Sequence, residues 1–126
     1  MKFVCLGYFD EARWDATPKS EQDAMMQECF AYDDLLRQHG HFVAGEALQS
    51  ARAAKTLQWK DRKVLVTDGP FAQTREQLGG LLVLEARDMD HAVELMSRHP
   101  GVRLGGPFEI RGVEELPGVH PRLGER

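Results

Sequence analysis

Asp68, Glu46 and Arg75 are the side chains whose types and positions could do chemistry in this chain. Asp68 follows the apolar run Val64-Leu65-Val66-Thr67, and Glu46 follows Ala44-Gly45 near the end of the run from His41 to Leu48. Carboxylates at strand ends are held by rigid elements, and two of them near a guanidinium can split their pKa values so that one accepts a proton. The chemistry this predicts is acid/base work on a small organic molecule. Tyr8, Trp59 and Phe71 would supply the apolar or stacking walls of such a pocket. Each carboxylate also has a plainer reading. Asp68 opens Asp68-Gly69-Pro70, where an aspartate binds the backbone two residues on without any substrate, and Glu46 could be a surface carboxylate paired with Arg75.

Other chemistries find no support. The histidines His39, His41, His91, His99 and His120 have no Cys, Asp or Glu partner at a metal-site offset, so no metal is expected. Cys5 lies inside an apolar strand and Cys29 on the apolar stripe of a helix, which suits two buried thiols better than a disulfide or a nucleophile. Gly79-Gly80 and Gly105-Gly106 lack a Walker or dinucleotide fingerprint and read as points of close backbone packing or bulges. No tightly bound cofactor is expected.

The elements that must position these residues follow from periodicity. Residues 2–9 are almost wholly apolar, as in a central strand covered on both faces. Thr17-Pro18 predicts a helix start, with the threonine as N-cap and proline in the first turn. Met25, Cys29, Tyr32 and Leu36 draw one apolar stripe, widened by Met26 and Phe30, and Gln27, Asp34 and Arg37 lie opposite. His39-Gly40 ends that helix. Strands are expected over residues 41–48, 56–59, 63–67 and 81–86, the middle two forming a hairpin around Lys60-Asp61-Arg62. Asp88 caps a second helix containing Met89, Ala92 and Met96, which Pro100-Gly101 stops with His99 in its last turn. Residues 105–113 give the last strand, and residues 116–126 a Pro- and Gly-rich tail beyond a single domain over 1–115.

The order βαβ–βαβ with a hairpin between the halves predicts a ferredoxin-like α+β sandwich. Strands apolar on both sides would leave one sheet face wet, and large apolar patches ordinarily meet a partner. A homodimer with facing sheets is therefore expected.

The run from Val66 to Asp88, with Asp68-Gly69-Pro70-Phe71 leading through Arg75-Glu76-Gln77-Leu78-Gly79-Gly80 into a strand, resembles the DGPF proteins, a branch of the YCII-related family. The resemblance extends from about Lys2 to Val113. It implies a dimeric α+β barrel and a family role that is largely unassigned. The family often has Asp-Gly at the hairpin turn, where this chain has Asp61-Arg62. Wider YCII-related members have been proposed to use a His-Asp pair with the histidine on the first helix. Residues 18–37 here contain no histidine, which departs from that pattern.

A length of 126 residues suits one domain, and a net charge of −4 with no basic stripe argues against nucleic acid. No apolar run reaches a membrane span, and the start reads as a strand and not a signal peptide, so a cytoplasmic protein is expected. Two functions remain in view. One is a small-molecule enzyme or binder working at Asp68 and Glu46. The other is a non-catalytic ligand sensor or accessory protein, for which the DGPF resemblance implies an extracytoplasmic-function sigma factor as partner.

Overall fold

The computed structural model describes residues 1–117. The elements run β1 (Lys2–Asp10), α1 (Glu11–Asp15), α2 (Lys19–Gln38), β2 (Phe42–Ala47), a 3-10 turn (Ala51–Ala53), β3 (Lys55–Lys60), β4 (Lys63–Asp68), β5 (Glu76–Glu85), α3 (Met89–Ser97), α4 (Pro100–Leu104) and β6 (Phe108–Gly112). Four strands form an antiparallel sheet in the order β2-β5-β1-β6, and β3 and β4 make a separate two-stranded ribbon. This is the expected βαβ–βαβ sandwich with a hairpin inserted between its halves.

Alternation along β1 sets the two faces of the sheet. Phe3 and Cys5 pair with Leu84 and Leu82 and are buried with Leu36, Ala86, Ala92 and Met96 in the core between sheet and helices. Val4 and Leu6 pair with Val83 and Leu81 on the opposite, open face, which therefore carries four half-buried aliphatic residues. Glu46 pairs with Leu81 and shares that open face, since its neighbour Gly45 pairs with the core residue Leu82. Between Gly7 and Tyr8 the register slips, and Gly79 is left over in β5. A Cβ on Gly79 would come within 3.0 Å of the Phe9 ring, so the bulge needs a glycine to seat that ring.

Helix boundaries hold several corrections. Residues 10–17, where no element is anticipated, contain α1, because Asp10 Oδ1 accepts from the amides of Ala12 (3.0 Å) and Arg13 (3.3 Å). Thr17 does not cap α2. Its hydroxyl donates to the Arg13 carbonyl at 2.8 Å, and α2 begins at Lys19 after an extended Pro18. The other end is as expected, with Gly40 left-handed at φ 78°. Pro100-Gly101 does not simply stop the second helix. α3 ends at Ser97 with Arg98 as its C-cap, and Pro100 opens a further helix, α4, whose N-cap is His99. The segment between the strands expected over 41–48 and 56–59 contains the 3-10 turn. The tail expected over 116–126, with His120, lies outside the described residues beyond its first two positions.

The ribbon turns through two residues, Asp61 (φ 52°) and Arg62 (φ 63°), between the paired Lys60 and Lys63. Two positive φ values in a two-residue loop are the geometry that favours glycine at the second position. Arg62→Gly is expected to stabilise the protein by about 1 kcal/mol through relief of the left-handed cost. Urea unfolding checks this, and a neutral or negative result would rule out backbone strain at Arg62.

Candidate functional site

A His-Asp pair lies where two helices meet the sheet. Asp33 sits four residues after Cys29 and three before Leu36, on the buried side of α2, so its carboxylate reaches inward. His99 stands between α3 and α4 and is only 6% exposed. Its Nε2 lies 2.9 Å from Asp33 Oδ1, and its Nδ1 accepts from the Gly101 amide at 3.0 Å. The acceptor role of Nδ1 places the proton of the neutral ring on Nε2, which donates to Asp33. Tyr32 and Phe108 hold the ring, with centroids 5.4 and 5.7 Å away. A second proton on this imidazole would go to Nδ1, leaving the Nε2–H against the Asp33 carboxylate, the arrangement that orients and supports a general base.

His99 and Gly101 line a cleft of about 320 Å³ on the helix side of the sheet. Its walls come from Tyr8, Phe9 and Asp10 at the end of β1, Arg13 and Trp14 of α1, Met25, Met26 and Cys29 of α2, and Gly79-Gly80 and Gly105-Gly106. Gly79 and Gly106 shape it, because side chains there would fill the space beside Phe9 and Tyr8. Phe9 and Trp14 meet edge to face at 6.4 Å. Burial, and then the Asp33 and Glu28 carboxylates, push the Cys29 thiol up, and burial pushes Cys5 up to about 11. Neither is an activated nucleophile, in keeping with the sequence.

The Asp-Gly-Pro-Phe segment reaches this cleft indirectly. Arg75 Nε donates to Asp10 Oδ2 at 3.1 Å, so the same carboxylate caps α1 and receives the arginine. Gln77 Nε2 donates to the carbonyls of Ala72 (2.7 Å) and Thr74 (2.8 Å) and closes the intervening loop. Glu11 accepts from Ser50 Oγ and the Ala51 amide, tying α1 to the 3-10 turn as well. The chain after Asp68 thus braces the helix that forms one wall of the cleft.

The Asp10 bonds have a pH consequence. The Arg13 amide, the Arg75 side chain and the Ala12 amide hold its carboxyl below the usual aspartate value. A depressed folded pKa gives stability that is present above the unfolded value and lost as pH falls through the folded one. Amide exchange at Ala12 and Arg13 is expected to accelerate selectively in that acid window, and Asp10→Asn should remove the pH dependence. Equal exchange profiles in the two proteins would refute the role given to Asp10.

The residues singled out from the sequence do not assemble within the chain. Asp68 ends β4 and pairs with Lys55 across the ribbon, exposed to solvent. Glu46 is exposed on the open sheet face, and Arg75 pairs with Asp10. No hydrogen bond or ion pair joins Asp68, Glu46 and Arg75 to one another among the described residues. Of Tyr8, Trp59 and Phe71, only Tyr8 lines the cleft, while Trp59 and Phe71 are 73% and 76% exposed. The expectation that His99 closes the last turn of α3 is corrected: it caps α4 and pairs with Asp33. The signal available for Asp33 was a carboxylate on the apolar stripe, in step with Cys29 and Leu36.

Among the described residues no group of three or more His, Cys, Asp or Glu side chains is placed to hold a metal ion. No described helix is long and apolar enough to cross a membrane.

The fold is that of a ferredoxin-like α+β protein. The chain belongs to the YCII-related family, whose domain model matches residues 1–117. It is 30% identical over 115 residues to an uncharacterized protein of Rhizobium meliloti (strain 1021), covering 88% of this chain and 90% of that relative. Among solved structures it is similar to 5-chloro-2-hydroxyhydroquinone dehydrochlorinase from Burkholderia phenoliruptrix AC1100 in complex with 2,5-dihydroxybenzoquinone. That likeness has a TM-score of 0.50 and 16% identity over 90% of this chain and 94% of the other, and it concerns the fold.

Proposed function

We propose that the protein binds a small organic molecule in the cleft beside His99 and moves a proton on it, with Asp33 orienting and supporting the imidazole. The observation that carries this reading is the buried His99, paired with Asp33 behind it, in the wall of an otherwise largely apolar cleft. Proton uptake at Nδ1 gives up the Gly101 bond, worth about 1 kcal/mol, and leaves an imidazolium against the Asp33 carboxylate. The dehydrochlorinase similar in fold acts on a hydroxylated ring compound, which makes hydroxyaromatic molecules the first to screen. Asp68 and Glu46, first expected to do this work, are assigned no step in it.

The test has two parts. A true ligand should protect Cys29, which lines the cleft, from alkylation. Hydrogen–deuterium exchange at an acidic carbon of the bound compound should fall in His99→Gln and Asp33→Asn while binding persists. Binding that leaves Cys29 unprotected, or exchange that survives both substitutions, would sink the proposal.

We further infer that the working form is a homodimer. Leu57, Trp59, Val64 and Val66 share one face of the β3–β4 ribbon and are 65%, 73%, 53% and 56% exposed. A lone two-stranded ribbon is marginal in water, and a contiguous apolar stripe of this kind ordinarily meets a partner. A second copy offers the matching aliphatic surface in Val4, Leu6, Leu81 and Val83. Sedimentation should give twice the 14.2 kDa chain mass, and Trp59→Glu should weaken the association. A monomer at micromolar concentration would overturn it.

A further inference from the structure

The cleft's only uncommitted formal charge among the described residues comes from Arg13. Asp10 is engaged by Arg75 and two amides, and His99 by Asp33 and Gly101. Arg13 lines the cleft on α1, and its guanidinium has no ion pair or side-chain hydrogen bond. Among the nine described arginines only Arg62, at the tip of the ribbon turn, shares that condition. Arg37, Arg52, Arg75, Arg98, Arg103 and Arg111 all meet carboxylates, and Arg87 contacts His91.

Position makes the free arginine informative. Thr17 Oγ1 binds the Arg13 carbonyl and Asp10 binds its amide, so the backbone that carries the side chain is fixed at both ends. The neighbouring walls are aromatic or apolar: Phe9, Trp14, Met25, Met26, Leu48 and Phe108. A planar guanidinium beside such walls recognises a carboxylate or another delocalised anion, with two parallel hydrogen bonds available. Size narrows the class further. A cavity of about 150 Å³ holds benzene, so the 320 Å³ present here takes one substituted ring.

We propose that the ligand is a single-ring aromatic or enolic acid in its anionic form, with its charge at Arg13 and its ring against Phe9, Trp14 and Phe108. The inference rests on the cleft being the binding site and adds the sign and position of the ligand's charge.

Calorimetric titration of the full chain with 4-hydroxybenzoate and with 4-hydroxybenzyl alcohol tests it, since the two share ring and phenol and differ in charge. The acid should bind about tenfold more tightly, as expected for a charge-assisted contact at a partly exposed site. That advantage should shrink as salt is raised, vanish in Arg13→Met and survive in part in Arg13→Lys. Equal affinity for the two compounds in the wild type, or an advantage that persists in Arg13→Met, would overturn the proposal and leave the cleft reading standing. Failure of both compounds to bind would overturn the two together.

Discussion

His99→Ala is expected to destabilise the protein by about 3 kcal/mol, the low end for emptying a buried aromatic site. Three losses combine. Asp33, whose side chain is 20% exposed, keeps its charge without its partner. The Gly101 amide at the start of α4 loses its acceptor. Tyr32 and Phe108 face the void left by the ring. Solvent reaching Asp33 moderates the first loss, which is why the upper end of the range is not expected. Asp33→Asn keeps a hydrogen-bonding oxygen toward Nε2 and should cost less than about 1 kcal/mol, while removing the charge that supports a protonated ring. The pair thereby separates structure from chemistry. Urea unfolding of His99→Ala, Asp33→Ala and the double variant measures the coupling, and a double variant costing as much as the sum of the singles would show that the two residues act independently.

Gly106→Ala should be at least as damaging, at about 3 kcal/mol, and is expected to reduce the yield of folded protein. A Cβ at this position falls under 3.0 Å from the Tyr8 carbonyl oxygen, a backbone atom that cannot rotate away. Tyr8 is further tied by its own amide, which donates to the Pro107 carbonyl at 2.9 Å. Relief would require moving the end of β1, which carries Tyr8, Phe9 and Asp10 into the cleft. Gly79→Ala meets only the Phe9 ring, a side chain with rotamers to explore, so it should cost less and act mainly by displacing Phe9 from the cleft wall. Thermal unfolding that places Gly106→Ala within experimental error of the parent would contradict the close approach.

Much of the fold was legible in the chain because its determinants are local. The apolar run at residues 2–9, the stripe Met25–Cys29–Tyr32–Leu36, the helix end at Gly40 and the Asp88 cap all act within a few residues, and each appears in the structure. The order of those elements led to the ferredoxin-like sheet. Local signals also erred at the caps: Asp10 opened a short helix where none was expected, Thr17 did not cap α2, and His99 capped a helix that Pro100 was expected to prevent.

The candidate site was less legible, for a physical reason. His99 and Asp33 are 66 residues apart, and Asp10 and Arg75 are 65 apart. Such pairs are made by how α2 and α4 meet over one sheet and where a bulge turns β1, which no window of neighbouring residues encodes. Sequence alone established the domain type and pointed to the segment after Asp68. Only tertiary structure decided that this segment acts through Arg75 on Asp10, that Asp68 spends its charge on Lys55, and that a helical aspartate meets a histidine from the far half of the chain.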